Sequence, residues 1–429
     1  MVSLRPLSVF MSVEDARAAL LERVPLMPSQ SVALTEAYGR ILAQDVLSDI
    51  DISPFDSSAM DGFALRFEDC ATAGASEQSP LTLNIVGSIG AGTVYGGRLR
   101  SGEALRIMTG APMPEGADTV VKIEDTTVVG ESPACPEGRT LIITQMPQRQ
   151  EHVRFRGEEA HKGDVLLRKG ERVTPPAAGL LASAGNAEVR VYGRPRVAII
   201  SIGSELVSVT QTPGPGQIRN SNSYSLAAAV TEAGASPTIQ PLVCDTHAAL
   251  AEALKAATAA YDFVITSGGA AEGDYDYVTA VVQELGEMLY NKVNMRPGKS
   301  QTFSLIDKTP VFGLPGNPGA ASVGFELLIR PALRKMQGMS ELDRPITRAV
   351  IERDITKKKE TRRIYLRARL EHAEGGGYRA TPLPNQSSAL LGALSRSNCL
   401  LIVPEGEQSL AAGSLVDCLR IDCDEGTIL

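Results

Sequence analysis

Four histidines in a chain of 429 residues leave little from which to build a zinc site. The six cysteines (Cys70, Cys135, Cys244, Cys399, Cys418 and Cys423) never fall at C-x-x-C spacing, which argues against a zinc finger. Reduced thiols of a cytoplasmic protein are the expectation instead. Positive charge is in deficit: 42 Lys and Arg stand against 50 Asp and Glu, for a net charge of −8. A nucleic-acid partner would demand the opposite, a basic face. No apolar run approaches the roughly 18 residues needed to cross a bilayer, so no membrane association is expected. The N-terminal stretch MVSLRPLSVFMSVEDARAAL meets an acidic pair after a few apolar residues, unlike a signal peptide.

What is present suits a soluble, multidomain protein. Hydrophobic residues make up 43% of the chain and charged residues 21%, enough for several cores. Domains usually run to about 100–200 residues, so three or four are expected. In SVEDARAALLERV, Ser12 can cap a helix, and Ala16, Leu20 and Val24 recur at four-residue spacing. A second helix is expected to begin near Thr35 in TEAYGRILAQDV. Residues 48–150 alternate short β-rich runs with Gly/Pro turns, which reads as a β-rich inserted domain. The insert splits a discontinuous domain made of residues 1–47 and 151–178. Residues 179–340 alternate strand and helix patterns, the signature of a doubly wound, mainly parallel α/β domain. Residues 341–429 return to short alternating runs, a small C-terminal β domain of barrel type.

In open α/β sheets, ligands sit outside the carboxyl ends of the strands. The segments that follow the predicted strands are therefore the candidates. VAIIS is followed by Ile202-Gly203-Ser204-Glu205, PLVC by Asp245, FVIT by a loop with Gly268, Gly269, Asp274 and Asp276, and PVFG by Leu314-Pro315-Gly316-Asn317-Pro318. Alone, each has a plain structural explanation: Asp245 fits a helix N-cap, and PGNP fits a tight turn before a helix. Together they bring acids, a glycine turn and a proline-stiffened turn to one edge. Glycines let backbone N–H groups approach an oxyanion. Carboxylates beside a phosphate repel it unless a hard cation such as Mg²⁺ lies between them. Lys292, Arg296 and Lys299 in NKVNMRPGKS are either solvated surface charges or a further hold on an anion. No G-x-G-x-x-G opens a helix after the first strand, which argues against a nicotinamide-dependent oxidoreductase.

DSSAMDGFA (Asp56–Ala64), IMTGAPMPEGADTVV (Ile107–Val121), VRFRGEE (Val153–Glu159), GQIRNSNSY (Gly216–Tyr224), TSGGAAEGDYD and GLPGNP (Gly313–Pro318) occur here in one order. Together they closely resemble the molybdopterin molybdenumtransferases, the MoeA family, to which the E domain of gephyrin also belongs. The resemblance implies an elongated homodimer with four domains per subunit, the doubly wound one similar to molybdopterin adenylyltransferases. Such an adenylyltransferase is also a partner the resemblance suggests. The implied reaction takes adenylylated molybdopterin and molybdate, places molybdenum in the dithiolene, and releases AMP with the help of a divalent cation, Mg²⁺.

By the same resemblance, Glu205, Asp245 and Asp276 are catalytic and metal-binding acids. Asp61 in AMDG and Thr109 in MTGAP are residues that the partner subunit brings over the crevice, and Glu159 is a further catalytic acid. Gly268, Gly269, Asp274, Ser221, Asn222, Pro315, Pro318, Lys292, Arg296 and Lys299 are the implied cofactor-binding set. The chain departs from the family pattern at four places. GEE stands for GED, so Glu159 replaces an aspartate, and IGSEL stands for TGDEL, which costs a carboxylate at Ser204. GGAAEGDYD carries Ala271 in place of a hydroxyl and an added Glu272, and Arg296 stands where lysine is common. A divergent paralogue that binds molybdopterin or serves as a protein scaffold, or a tungstate-specific insertase, are the alternative readings. Four retained acids favour the enzyme over the scaffold.

Overall fold

The computed structural model describes residues 10–73, 80–130, 138–143, 145–269, 277–357, 360–406 and 408–427. The chain divides into two compact units, residues 1–30 with 190–429, and residues 31–189. No helix among the described residues is long and apolar enough to cross a membrane.

In the first unit, six strands form one sheet in the order Ser236–Ile239, Arg196–Ser201, Phe263–Ser267, Thr309–Leu314, Ser300–Ile306 and Glu287–Lys292. The first four run parallel, and Ser300–Ile306 runs antiparallel to both of its neighbours. Alternate side chains of each strand point to opposite faces, and both faces are buried. Val197, Ile199, Phe263, Ile265, Phe312 and Leu314 pack on one side with Leu226, Val230, Val323 and Leu328 from helical segments. Ala198, Ile200, Val264 and Val311 pack on the other with Leu250, Leu254, Val278 and Val281. The strand Ser300–Ile306 has no counterpart in the sequence reading. Its hairpin turns on Asp307 (φ 47) and Lys308 (φ 71), a two-residue turn without the Asn-Gly or Asp-Gly signal that usually marks one.

The helix Val13–Arg23 forms as its pattern predicts, with Ser12 Oγ accepting from the Asp15 amide at 3.0 Å. Ala16 and Leu20 are fully buried in the same core as Val197 and Phe263. The helix therefore packs with the α/β sheet, whereas the sequence reading grouped it with the segment up to residue 47. The helix expected from Thr35 does not form. Only a single 3₁₀ turn, Leu34–Glu36, is present, and Gly39 turns the chain with φ 75. The amides of Gly39 and Leu42 then donate to Val173 and Glu171 carbonyls, so extended pairing replaces the helix.

Five strands near the C-terminus close into a barrel: Arg363–His372, Tyr378–Pro382, Ile346–Ile351, Leu415–Arg420 and Cys399–Val403, the last pairing back to the first. Ala349, Ala368, Leu370, Leu401 and Val403 fill it. Met295–Arg296 adds a short parallel strand beside Arg363–Ile364, which brings the basic segment of the α/β domain to the barrel.

In the second unit, a six-stranded sheet runs in the order Thr119–Lys122, Gly62–Leu65, Glu103–Ile107, Leu81–Ile89, Thr140–Ile143 and Thr126–Val129. It is antiparallel except where Leu81–Ile89 meets Glu103–Ile107. Val46–Leu47 pairs with Val165–Leu167, and Ile52 with Ala160, so segments flanking the sheet meet across the intervening sequence.

Because Leu20 is buried in the α/β core, Leu20→Ala should cost about 2–5 kcal/mol there. Hydrogen exchange should quicken in Arg196–Ser201 and Thr309–Leu314, and stay unchanged in Glu103–Ile107. The reverse pattern would place the helix in the other unit.

Candidate active site

At the carboxyl ends of the parallel strands, a crevice of about 1200 Å³ opens between the α/β sheet and the barrel. Glu205, Ser221, Asn222, Asp245, Gly268, Gly269, Arg296, Lys299, Pro315 and Pro318 all line it, so ten of the residues singled out in the sequence converge. Lys292 does not line it. It ends the Glu287–Lys292 strand, and its ammonium lies 5.9 Å from the Phe10 ring centroid. Its strand pairs it with Ser300, the neighbour of Lys299, yet its side chain lies toward Phe10. Asp274 and Asp276 lie outside the described residues.

The loops are held by close backbone approach. Gly268 has φ 92, and a Cβ there would fall 2.2 Å from the Ile202 carbonyl oxygen, so no larger residue fits. A Cβ on Gly316 would sit 3.6 Å from Gly268 Cα, which puts the glycine turn and the proline turn in contact. Asn222 Nδ2 donates to Ser267 Oγ and to the Gly316 carbonyl, each at 2.8 Å. Behind them, Ser201, Asn220 and Ser223 form a buried network: Ser201 Oγ donates to Asn220 Oδ1 at 3.0 Å, and Asn220 Nδ2 donates to Ser223 Oγ at 2.9 Å. Such a floor fixes the start of the Asn222–Glu232 helix against the end of the first strand.

Two acids face the crevice from neighbouring loops. The exposed Glu205 side chain folds back over Gly203, where an added Cβ would meet its carboxylate at 2.6 Å. Asp245 Oδ2 accepts from the Ser204 amide at 3.4 Å. Asp245 is not the cap of the helix that follows, because Thr246 holds that position and accepts from the Ala249 amide. Arg296 Nη1 donates to Glu360 Oε2 at 3.2 Å. Hydrogen bonds from Arg362 hold the Glu360 carboxyl down at about 2, and Arg296 adds to that, so the pair stays ionised at any physiological pH.

The sequence reading missed the far wall, which comes from the barrel. Gln386, Ser387, Ser388 and Ala389 line the crevice, and the Gly319 amide donates to the Ser388 carbonyl at 2.7 Å. Arg367 stands behind this wall, 1% exposed, with Nε donating to Gln386 Oε1 at 3.2 Å and Nη1 without a partner among the described residues. Burial pulls the Arg367 pKa down, yet a guanidinium stays charged in proteins. NQSSAL reads as an ordinary polar loop and RIYLRARLEH as an ordinary strand, so neither carries a local signal of a site.

Asp61, Thr109 and Glu159 belong to the second unit. Asp61 Oδ1 accepts from the Thr109 amide at 2.7 Å and from its hydroxyl at 3.0 Å. These bonds, the amide first, hold the exposed Asp61 carboxyl below its ordinary range. Asp61 and Thr109 are thus bonded to each other. Glu159 is exposed in the turn after Gly157.

Comparison with known proteins places this geometry. Residues 11–185 match the model of the MoeA N-terminal region (domain I and II), residues 198–335 that of the "Probable molybdopterin binding domain", and residues 348–421 that of the MoeA C-terminal region (domain IV). The molybdopterin molybdenumtransferase of Staphylococcus aureus (strain COL) is 36% identical over 416 residues, 96% of both chains. That of Bacillus subtilis (strain 168) is 39% identical over 399 residues, 92% of this chain and 90% of the relative. This chain belongs to the MoeA family. A solved molybdopterin biosynthesis MoeA protein from Pyrococcus horikoshii superposes with a TM-score of 0.82 at 31% identity, covering 96% of this chain and 99% of that one. The MoeA domain boundaries thus bracket the α/β domain and the barrel that together wall the crevice.

The Asp61 carboxyl gives a direct test of its pairing. Its folded pKa is depressed, so the pairing is complete above the unfolded pKa and is lost as pH falls through the folded one. Thr109→Val removes the hydroxyl donor and keeps the amide, and should move the Asp61 pKa part of the way up in a ¹³C NMR titration. An unchanged titration would show that the hydroxyl plays no part.

Proposed function

We propose that the chain is a molybdopterin molybdenumtransferase, which inserts molybdenum from molybdate into adenylylated molybdopterin and releases AMP in the crevice at the strand ends. The observation that carries this reading is the meeting of Glu205 and Asp245 with the Gly268–Gly269 turn and the cations Arg296 and Lys299 in one crevice. The near-full-length relatives named molybdopterin molybdenumtransferase support it.

The substrate presents phosphates and the reaction adds an oxyanion, so the crevice must hold several negative charges beside its own. Lys299 and the guanidinium of Arg296 offset part of that charge, and the glycine turn lets an anion approach without a side chain in the way. Arg367, buried behind the barrel wall without a carboxylate partner among the described residues, adds positive potential from that side.

A divalent cation fits the same residues. Among the described residues no group of three or more candidate ligands gathers to form a protein-only site. Mg²⁺, however, is commonly held by one or two carboxylates together with substrate phosphates and water. Glu205 and Asp245 are hard oxygen donors on adjacent loops of the crevice and would hold it there; Asp276 is the third acid that the resemblance implies. When bound, the cation would neutralise phosphate charge as the bond to AMP breaks.

Asp61 and Thr109 are read as acting in the crevice of a second copy, which makes the working form a homodimer. Exposed Met60 and Met108 flank the pair and suit contact with protein. The acidic net charge and the free cysteines Cys70, Cys244, Cys399, Cys418 and Cys423 suit a cytoplasmic setting.

AMP release from adenylylated molybdopterin by the purified protein tests the reading. With Mg²⁺ present, release should require molybdate, and Glu205→Gln should lower it by about 100-fold or more. Release that ignores molybdate, or that Glu205→Gln leaves intact, would contradict it.

A further inference from the structure

The resemblance implies that Asn222 touches the bound cofactor, but its hydrogen bonds lead elsewhere. A carboxamide nitrogen carries two hydrogens. Asn222 uses one on Ser267 Oγ and the other on the Gly316 carbonyl, each at 2.8 Å. Ser267 is the last residue of its strand, 2% exposed, and leads directly into the Gly268–Gly269 turn. Gly316 lies in the turn between Pro315 and Pro318. The first helical residue of Asn222–Glu232 therefore ties together two neighbouring turns that line the same crevice.

We infer that Asn222 is a positioning residue, which fixes the glycine turn against the proline turn and orients the Ser267 hydroxyl toward an oxyanion of the substrate. The orientation follows from the direction of the bond. Ser267 Oγ accepts from Asn222, so the proton left to donate is its own, and Ser267 lines the crevice. The turns also meet through the Gly268 amide, which donates to the Leu314 carbonyl at 3.1 Å, and the Ser267 carbonyl accepts from the Ile202 amide at 2.9 Å. Those two bonds set the height of the glycine turn on the sheet. Among the described residues, Asn222 alone reaches from the helix to both turns, and its loss would let them drift apart without unfolding the sheet beneath. The inference rests on the proposed reaction for its catalytic consequence, but not for its geometry.

Aspartate keeps the size of asparagine but cannot donate, so it destroys the clamp; because its charge also repels an oxyanion, exchange in the two turns without substrate is what separates the two roles. The experiment compares full-length Asn222→Asp, Asn222→Ala, Ser267→Ala and the Asn222→Ala/Ser267→Ala double variant. Steady-state AMP release is measured alongside hydrogen exchange without substrate. Both Asn222 variants should lower kcat/KM by up to about 100-fold, as expected for a misplacement of about 1 Å. The double variant should be no worse than Asn222→Ala, because the two residues act as one unit. Exchange should quicken at residues 267–269 and 314–316 while the helix His247–Ala260 keeps its rate. Wild-type kcat/KM in Asn222→Asp, losses that multiply independently in the double variant, or unchanged exchange in both turns would each overturn the assignment. Should the wild-type protein release no AMP, the functional reading fails, and the exchange rates alone decide the clamp. If Asn222→Ala does not fold, Ser267→Ala carries the exchange measurement.

Discussion

Burial of the parallel strands on both faces is the constraint from which the crevice follows. A strand covered on both sides can send its connections only over an edge, and the right-handed crossovers bring the carboxyl ends of all four parallel strands to the same one. Glu205, Asp245, Ser267 and Pro315 are there because the strands before them end there, and not because their own segments attract one another. The close contact of the loops follows in turn. With the Ile202 carbonyl 2.2 Å from where a Gly268 side chain would begin, the turn has one backbone path open to it.

That path explains how a loop region rich in acids can still serve an anion. The glycine turn leaves room for an anion, the cations come from the segment after the Glu287–Lys292 strand, and the carboxylates sit on other loops. Each charge type is carried by a different connection, so their separation is set by the sheet. Arg296 is a special case. Its bond to Glu360 ties the basic segment to the barrel, and this tie joins the short strand pairing of Met295–Arg296 with Arg363–Ile364. An arginine can bond a carboxylate and still present further N–H groups, which a lysine in the same place does less readily.

Much of this was legible in the sequence because it is local. The alternation of RVAIIS, the 222–232 helix, DFVITS and TPVFGL follows from burial on a period of two or of 3.6 residues, and the loops between them carry the chemistry. What escaped was non-local. The helix expected at Thr35 lost to pairing with residues 171–173, more than 120 positions away, which no window over TEAYGRILAQDV can register. The strand Ser300–Ile306 was hidden by a turn on Asp307 and Lys308 that lacks glycine. Arg367 and the Gln386–Ala389 wall reach the crevice only through closure of the barrel, and a buried arginine inside an alternating strand reads, in one dimension, as an outward-facing surface residue.

The central claim is that this crevice, walled by the α/β sheet and the barrel, is where the adenylylated pterin binds and AMP departs. Hydrogen exchange of the full chain with saturating AMP and Mg²⁺ addresses it without requiring turnover. The account predicts slower exchange in residues 203–206, 267–269, 315–320 and 386–389 together, with little change in the strands Gly62–Leu65 and Leu81–Ile89. Protection confined to other segments, or none at saturating AMP, would contradict it.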